Sequence, residues 1–249
     1  MIRAVGFDLG ETLVEYEGVP LNWQREYPIA LNAVAALWTD CLGASQMAAG
    51  TAVLERFNTR LTRRASEVDH TVVFGDLLTA MDAPATHVSA LIDPAADAFF
   101  AVFQRRARPV QAACQVVDAL LGAGISVGVL TDVPYGMPRR LALSDLDVAG
   151  LDALAATTVT SVEVGVRKPD PRGFAALATR LGCSPHEMLF VGNEQKDVLG
   201  ALAAGMSAVL LWRDASPAPS WGQHHCVSGL AQVVGIGGVG GHCPTSVSS

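Results

Sequence analysis

Residues 4–13 read Ala-Val-Gly-Phe-Asp-Leu-Gly-Glu-Thr-Leu. The apolar run at the start of this stretch predicts a buried strand that ends at Asp8. A carboxylate at the carboxyl end of a buried strand, followed by a glycine and a threonine, is how a parallel sheet presents a nucleophile or a metal ligand. A strand that ends in a solvated aspartate is also common, so the role of Asp8 depends on what the rest of the chain brings beside it.

The composition limits the class of protein. The chain has 249 residues, of which 50% are hydrophobic and 16% charged, which indicates a globular protein of one or two domains. A net charge of −7 argues against nucleic acid or an anionic membrane surface as a partner. The first residues lack the pattern of a secretory signal, and no apolar run is long enough to span a membrane. Five scattered cysteines indicate free thiols in a reducing compartment. We therefore expect a cytoplasmic protein, either a monomer or a homodimer.

Apolar runs predict the strands of the sheet: Ala4–Asp8, Val127–Thr131, Thr157–Ser161, Met188–Gly192 and Ala208–Trp212. Helical patterns over Phe174–Leu181 and Val198–Ala204 lie between the later runs and are each followed by a glycine. Alternation of strand and helix predicts an α/β fold with a doubly wound parallel, Rossmann-like sheet.

A long segment separates the first strand from the second. Residues 16–108 show no convincing strand but several helical patterns, at Pro28–Trp38, Gln46–Thr62, Phe74–Met81 and Pro94–Gln104. We expect a helical cap domain, 16–108, inserted into a core of residues 1–15 and 109–234. Such a domain over the carboxyl edge of the sheet would exclude water and select the substrate, although an ordinary helical subdomain is the alternative.

The C-terminal part is expected to differ from the core. His225–Val234 predicts a last short strand and helix, and the Gly- and Ser-rich residues 235–249 predict a flexible tail.

Four strand-end segments carry groups suited to one kind of chemistry. They contribute Asp8, Thr131-Asp132, Lys168 within Gly165–Pro171, and Asn193 to Asp197. Strand ends of a parallel sheet converge on one crevice, so these groups are expected to meet there. Carboxylate and carbonyl oxygens suit Mg²⁺, while a lysine and a threonine hydroxyl suit phosphoryl oxygens. The set predicts a site for an anionic, phosphorylated small molecule.

The segments FDLGETL, VLTD, GVRKPDP and VGNEQKDVLGA, in this order, resemble the four motifs of the haloacid dehalogenase superfamily. The resemblance covers about Ile2 to Trp212, and the helical insertion resembles the first type of cap in that family. It implies a phosphatase in which Asp8 forms an aspartyl phosphate, while Thr131, Asp132 and Lys168 bind the phosphoryl group. It also implies that Mg²⁺ is held by a set of four residues: Asp8, Gly10 through its backbone carbonyl, Asn193 and Asp197.

Two positions depart from the pattern of the family. Most phosphatases of the family carry a general acid/base aspartate two residues after the nucleophile, where this chain has Gly10. Loss of such a group costs on the order of 10²–10⁴ in rate. The fourth motif has Asn193 where an aspartate is usual, which removes one negative charge from the metal site. Candidate replacements for the missing acid are Glu11, Asp132 and Glu194, of which Glu11 would face away from Gly10 unless a local turn redirects it.

Two other functions stay open. A carbon–halogen hydrolase of the same superfamily would tolerate Gly10, because halide leaves without a proton, but such enzymes typically have Ser-Asn in place of Thr131-Asp132 and need no Mg²⁺. An attenuated phosphate-binding protein would explain the loss of two acidic residues but not the retention of Asp8 and Lys168.

Some histidines, cysteines and aromatic residues give weaker signals. His224-His225-Cys226 and His242-Cys243 lack the spacing of a zinc site. Trp23 and Tyr27 are candidates to face the substrate, whereas Trp38 fits helix packing.

Overall fold

The computed structural model describes residues 2–236. In chain order the strands are β1 (Ala4–Phe7), β2 (Val14–Tyr16), β3 (Ala107–Pro109), β4 (Ser126–Thr131), β5 (Thr158–Thr160), β6 (Met188–Gly192), β7 (Ser207–Leu211) and β8 (His225–Val227). The helices are α1 (Tyr27–Ala35), α2 (Ala44–Phe57), α3 (His70–Ala80), α4 (Val88–Gln104), α5 (Ala113–Gly122), α6 (Arg139–Val148), α7 (Ser161–Val164), α8 (Pro171–Arg180), α9 (Gln195–Ala203) and α10 (Val233–Ile236).

The main sheet has six parallel strands in the order β5-β4-β1-β6-β7-β8. The predicted doubly wound fold is confirmed, and each of the five predicted strands agrees to within one residue at either end. Val5 and Phe7 of β1 pack in the core cluster that contains α5, while Ala4 packs in the cluster that contains α8 and α9. Gly6 allows α8 to approach, because a Cβ atom there would lie 2.7 Å from Leu177. Both faces of the sheet are therefore covered by helices, and only its carboxyl edge remains for a site.

A two-stranded antiparallel ribbon joins the core to the helical insertion. It consists of β2 and β3, in which Tyr16 pairs with Ala107 and Val14 with Pro109. The expectation that residues 16–108 contain no strand is wrong at both ends of that range. Strands of three residues are too short to show an alternating pattern. The predicted domain boundaries fall within this ribbon.

Helices α1 to α4 form the insertion around an aromatic core that includes Phe74, Phe99 and Phe100. Helix α4 starts at Val88, six residues before the predicted start, because Pro94 lies inside the helix rather than at its beginning. Helix α2 ends at Phe57 instead of Thr62, because Asn58 is extended and uses its side chain to bond the Tyr27 hydroxyl at 2.7 Å. The predicted helical character of the insertion agrees with the structure, but these two boundaries do not. In addition, α1 ends three residues before the predicted Trp38, and α3 begins four residues before the predicted Phe74.

The C-terminal strand and helix are present as β8 and α10. Helix α10 includes Gly235 and Ile236, the first two residues of the predicted flexible tail, and the rest of that tail lies outside the described residues. The cysteines at positions 41, 114, 183 and 226 are free thiols. Within residues 2–236, no helix has the length and apolar character needed to cross a membrane.

Candidate active site

The side chains of Asp8 and Lys168 meet at the carboxyl edge of the sheet. Asp8 directly follows β1, and Lys168 lies in the loop between α7 and α8. The Lys168 ammonium donates to Asp8 Oδ1, and its Nζ lies 2.6 Å from Asp197 Oδ1. The three side chains are 2%, 10% and 1% exposed for Lys168, Asp8 and Asp197. Three of the four predicted motifs therefore converge on one buried cluster.

The burial of this cluster shifts its protonation equilibria. Burial raises the pKa of Asp8 to about 6; the Lys168 ammonium opposes this effect and the Asp197 carboxylate adds to it. Burial alone would lower the pKa of Lys168, but the carboxylates of Asp197, Asp8 and Asp132 outweigh it and raise that pKa. Lys168 is therefore a permanent cation beside a carboxylate that is ionised at neutral pH.

The fourth motif places Asn193 directly after β6 and Asp197 in the first turn of α9. Asp197 Oδ2 accepts the Glu194 backbone N–H at 2.9 Å, which satisfies a free amide at the start of α9. Gly192 makes this possible, because a Cβ atom there would overlap the Asp197 carboxyl group. Asp197 Oδ1 makes no hydrogen bond of good geometry in spite of its short distance to Lys168. The Lys168 ammonium is therefore the partner of this buried oxygen, through an ion pair rather than a well-aligned hydrogen bond.

Thr12 connects the first and fourth motifs. Its hydroxyl, which is fully buried, lies 3.4 Å from Asp8 Oδ2 and 3.2 Å from Asn193 Oδ1. These two oxygen atoms therefore lie on the same side of the site. The sequence analysis assigned no individual role to Thr12, although its position in the turn after Asp8 could have predicted a contact with the Asp8 carboxylate.

Thr131 is the last residue of β4 and Asp132 follows it. The two side chains make different contacts in the site. Thr131 lines the cavity beside Asp8. Asp132 Oδ1 accepts the Lys168 backbone N–H at 3.0 Å, and its Oδ2 lies 3.2 Å from Lys196 Nζ. Burial raises the pKa of Asp132, but Lys168, Lys196 and Arg167 outweigh it and lower that pKa overall. Asp132 is thus an ionised carboxylate that fixes the backbone of Lys168.

The turn after Asp8 contains both Gly10 and Glu11. The backbone of Glu11 is left-handed, with a φ of 59°, so a local turn does redirect this residue. Its side chain lines the same cavity as Asp8 and lies 3.6 Å from Arg213. Gly10 does not have a positive φ, and a Cβ atom there would meet no atom within 4 Å. Glycine at position 10 is therefore not required by the backbone.

A cavity of about 130 Å³ lies between the core and the helical insertion. The core contributes Asp8, Thr131 and Asp132, and the insertion contributes Trp23, which stacks on Phe103 at 3.9 Å. Tyr27 does not line this cavity; its hydroxyl lies 2.6 Å from that of Tyr135. Trp38 packs at the edge of the core of the insertion, in agreement with its expected structural role.

The helical insertion is tied to the core next to Lys168. The backbone of 65–67 pairs with that of 165–167, through Arg167 N–H to Ala65 at 2.9 Å and Glu67 N–H to Gly165 at 3.0 Å. The Arg167 guanidinium also donates to the Glu67 carboxylate, whose Oε2 accepts the Ser161 hydroxyl at 2.5 Å. Sequence reasoning missed this network. It fixes the residue before Lys168 against the insertion.

The weaker metal candidates that lie within residues 2–236 do not form a site. His224 Nδ1 accepts the Ala208 backbone N–H at 3.1 Å, while His225 and Cys226 are exposed in β8. His242 and Cys243 lie outside the described residues. Among the described side chains, no three or more His, Cys, Asp or Glu residues are grouped to hold a metal. The group of metal ligands predicted around Asp8 contains only two carboxylates, those of Asp8 and Asp197. Its other predicted donors are the Asn193 side chain and the Gly10 backbone carbonyl.

Comparison with known proteins assigns the family. The sequence profile of the haloacid dehalogenase-like hydrolase family matches residues 2–205. This chain therefore belongs to the haloacid dehalogenase-like hydrolases, an enzyme family, and the sequence resemblance is confirmed.

Individual relatives match at lower coverage or identity. A phosphoglycolate phosphatase from Salmonella paratyphi A is 34% identical over 93 residues, which is 37% of this chain and 35% of that protein. The match thus spans about a third of its length. A phosphatase of the family from Thermococcus onnurineus superposes with a TM-score of 0.64 at 20% identity, covering 94% of this chain and 97% of that one. A 2-haloacid dehalogenase from Pseudomonas syringae pv. Tomato superposes with a TM-score of 0.63 at 21% identity, covering 95% and 98%. This chain therefore shares its fold with a phosphatase and with a dehalogenase.

Proposed function

We propose that this chain is a Mg²⁺-dependent phosphatase that hydrolyses a small phosphorylated metabolite through an aspartyl phosphate on Asp8. The observation that carries the proposal is the buried contact between the Asp8 carboxylate and the Lys168 ammonium, in a cluster that opens on a cavity lined by Thr131. The match to a phosphatase relative supports phosphate esters as the substrate class.

The two chemical steps follow from these groups. A carboxylate oxygen of Asp8 attacks phosphorus, the bond from phosphorus to the ester oxygen breaks, and the leaving oxygen takes a proton. Water then attacks the phosphorus of the aspartyl phosphate, which releases inorganic phosphate and the Asp8 carboxylate. Lys168 and the Thr131 hydroxyl stabilise negative charge on the transferring phosphoryl oxygens.

The donors around Asp8 fit a hard divalent cation. They are all oxygen atoms: Asp8 and Asn193 share the Thr12 hydroxyl as a neighbour, and the buried Asp197 carboxylate joins Asp8 at the Lys168 ammonium. Asp8, Asn193, Asp197 and the Gly10 carbonyl would hold Mg²⁺, which neutralises charge on the phosphoryl group when bound. Protein sites for Mg²⁺ commonly supply one or two carboxylates and leave the rest to water and substrate phosphate. The neutral Asn193 therefore weakens such a site without abolishing it.

Glu11 is the best placed of the three candidate acids. Asp132 is held by Lys196 and a backbone amide, and Glu194 pairs with Arg60 and Lys196. Those cations lower the pKa of both carboxyl groups in spite of their burial. Burial raises the pKa of Glu11, although Arg213 opposes it. Either Glu11 delivers the proton to the leaving group, or the natural leaving group needs little protonation.

The test is a screen of phosphorylated metabolites with and without Mg²⁺, run beside Asp8→Asn and a set of 2-haloacids. Mg²⁺-dependent phosphate release that Asp8→Asn abolishes is the expected result. Halide release in excess chelator would replace the proposal with the dehalogenase function. Thermal stabilisation by inorganic phosphate, without turnover of any ester, would replace it with the attenuated phosphate-binding protein.

A further inference from the structure

The carboxyl group of Asp145 is buried, and only one of its two oxygen atoms accepts a hydrogen bond. Asp145 lies on α6, outside the four motifs, and is 1% exposed. The Tyr16 hydroxyl donates to its Oδ2. Its Oδ1 is buried and has no hydrogen-bond partner among the described residues. A buried carboxylate oxygen without a partner is costly, so it calls for an explanation.

Asp145 and Tyr16 line the same cavity as Asp8. The neighbouring wall is apolar, formed by Leu21, Trp23 and Ala142. No cation contributes to the protonation equilibrium of Asp145, which is governed by burial, the Tyr16 hydroxyl and Gln104. The cavity that holds the candidate nucleophile is thus also lined by a residue whose buried carboxylate has no counter-ion among the described residues.

We infer that Asp145, oriented by Tyr16, binds a protonated amine on the alcohol portion of the phosphorylated substrate. This inference rests on the proposed phosphatase function. An ammonium group supplies both a hydrogen-bond donor for Oδ1 and the counter-ion that the Asp145 carboxylate lacks, since the basic residues of this cavity, Arg60, Arg167 and Lys196, pair with other carboxylates. A hydroxyl would supply the donor alone, and a carboxylate on the leaving group would be repelled.

The size of the cavity restricts the amine to a short chain. A volume of about 130 Å³ is well below the roughly 300–1,000 Å³ typical of sites for drug-sized ligands. The leaving group is therefore an amino alcohol of a few heavy atoms, of which 2-aminoethanol is the simplest probe.

The experiment compares kcat/KM for three alkyl phosphates of equal size: 2-aminoethyl, 2-hydroxyethyl and propyl phosphate. The wild-type enzyme is expected to prefer the amine over propyl phosphate by about 10–100-fold, as for a hydrogen bond to a charged group. Asp145→Asn keeps an acceptor for Tyr16 but has no charge, and should reduce this preference to about threefold or less. Tyr16→Phe keeps the charge and should retain most of the preference. Asp147→Asn removes an exposed charge from the same helix and serves as the matched control, with an unchanged ratio.

The outcomes separate this inference from the proposed function. If the enzyme hydrolyses aryl phosphates in an Asp8-dependent manner but shows no amine preference, the inference alone fails. If no phosphate ester is turned over, both fail. A preference for 2-hydroxyethyl phosphate over the amine would also overturn the assignment of an amine. A merely structural role of Asp145 would lower kcat/KM for all three esters by one common factor. The wild-type comparison stands by itself even if Asp145→Asn does not fold.

Discussion

Lys168 forms an ion pair with Asp8 in which both side chains are at least nine-tenths buried, and the same ammonium lies 2.6 Å from Asp197. One lysine therefore pairs with two carboxylates, one directly after β1 and one in the first turn of α9. A buried charge that loses its only partner is strongly destabilising. Here the loss of one carboxylate leaves Lys168 with another, so the pair can be tested by mutation without unfolding the protein.

Asp8→Asn should abolish turnover and leave the fold intact. The amide cannot attack phosphorus, and loss of a nucleophile costs on the order of 10⁴–10⁶ in kcat. Lys168 retains Asp197 and the nearby Asp132 as counter-ions. Steady-state kinetics with an aryl phosphate and a thermal melt check both parts. Residual turnover of more than a few per cent would mean that Asp8 is not the nucleophile.

Asn193→Asp should tighten the activation by Mg²⁺. The variant adds a negative charge next to Asp8 Oδ2, and hard divalent cations depend on ligand charge. We expect the Mg²⁺ concentration for half-maximal activity to fall by about tenfold, equivalent to about 1.4 kcal/mol. Asp170→Asn, at the partly buried N-cap of α8, keeps the cap and is the control for a change of charge near the site. Full wild-type activity in excess chelator would contradict the metal site itself.

Gly10→Asp should selectively raise turnover of alkyl phosphates. Without an acid at this position, cleavage should depend steeply on the basicity of the leaving group, so aryl and acyl phosphates should be cleaved far faster than alkyl phosphates. The backbone of Gly10 does not have a positive φ and a Cβ atom meets open space, so the variant should fold without strain. The expected gain for alkyl esters is up to on the order of 10².

Gly10→Asn is the matched control, since it has nearly the same shape and no acid. Equal turnover of alkyl and aryl esters by the wild type, with no gain in Gly10→Asp, would show that another residue already serves as the acid. Glu11→Gln would then be the first variant to examine.

The stability of the protein should respond to pH through Asp145. Burial raises the pKa of this carboxyl from 3.8 to about 6 in the folded protein. The folded state then holds this proton more tightly than the unfolded state, so the associated stability is present below pH 3.8 and is lost as the pH rises through about 6. Asp145→Asn cannot ionise. The free energy of unfolding of the variant relative to wild type should therefore increase by about 2–3 kcal/mol between pH 4 and pH 7.

Urea titrations of wild type, Asp145→Asn and Asp147→Asn at several pH values measure this difference. A difference between wild type and Asp145→Asn that does not change with pH would contradict the assignment of a buried, ionisable Asp145. The expected penalty at neutral pH is consistent with a group retained for binding rather than for stability.

The sheet and the strand-end residues could be predicted because both leave local signals. Apolar runs mark the strands; Asp8 and Asn193 directly follow two of them, and Thr131 is the last residue of a third. A fold rule then brings the strand ends together. Lys168 was expected at the same edge because its segment follows the third predicted strand, although in the structure the short helix α7 lies between that strand and Lys168.

The contacts that complete the cavity could not be predicted, because they join residues far apart in sequence. Tyr16 and Asp145 are 129 residues apart, and Glu67 and Arg167 are 100 apart. Tyr16 lies on a ribbon strand too short to give a periodic signal. Asp145 does give a periodic signal, because it lies three residues after Ala142 and four after Leu141, on the buried face of α6. A charged residue on an apolar helix face is a signal for function that sequence reasoning can use.

The most direct test of the central claim is to trap the phosphoryl group on the enzyme. The wild-type protein would be mixed with an aryl phosphate and Mg²⁺, quenched in acid within one turnover, and mapped by peptide mass spectrometry. The account predicts a phosphoryl adduct on Asp8 that survives acid, is removed by alkali and is absent from Asp8→Asn. A wild-type enzyme that turns over the ester with no adduct on Asp8, or with the phosphoryl group on another residue, would contradict it.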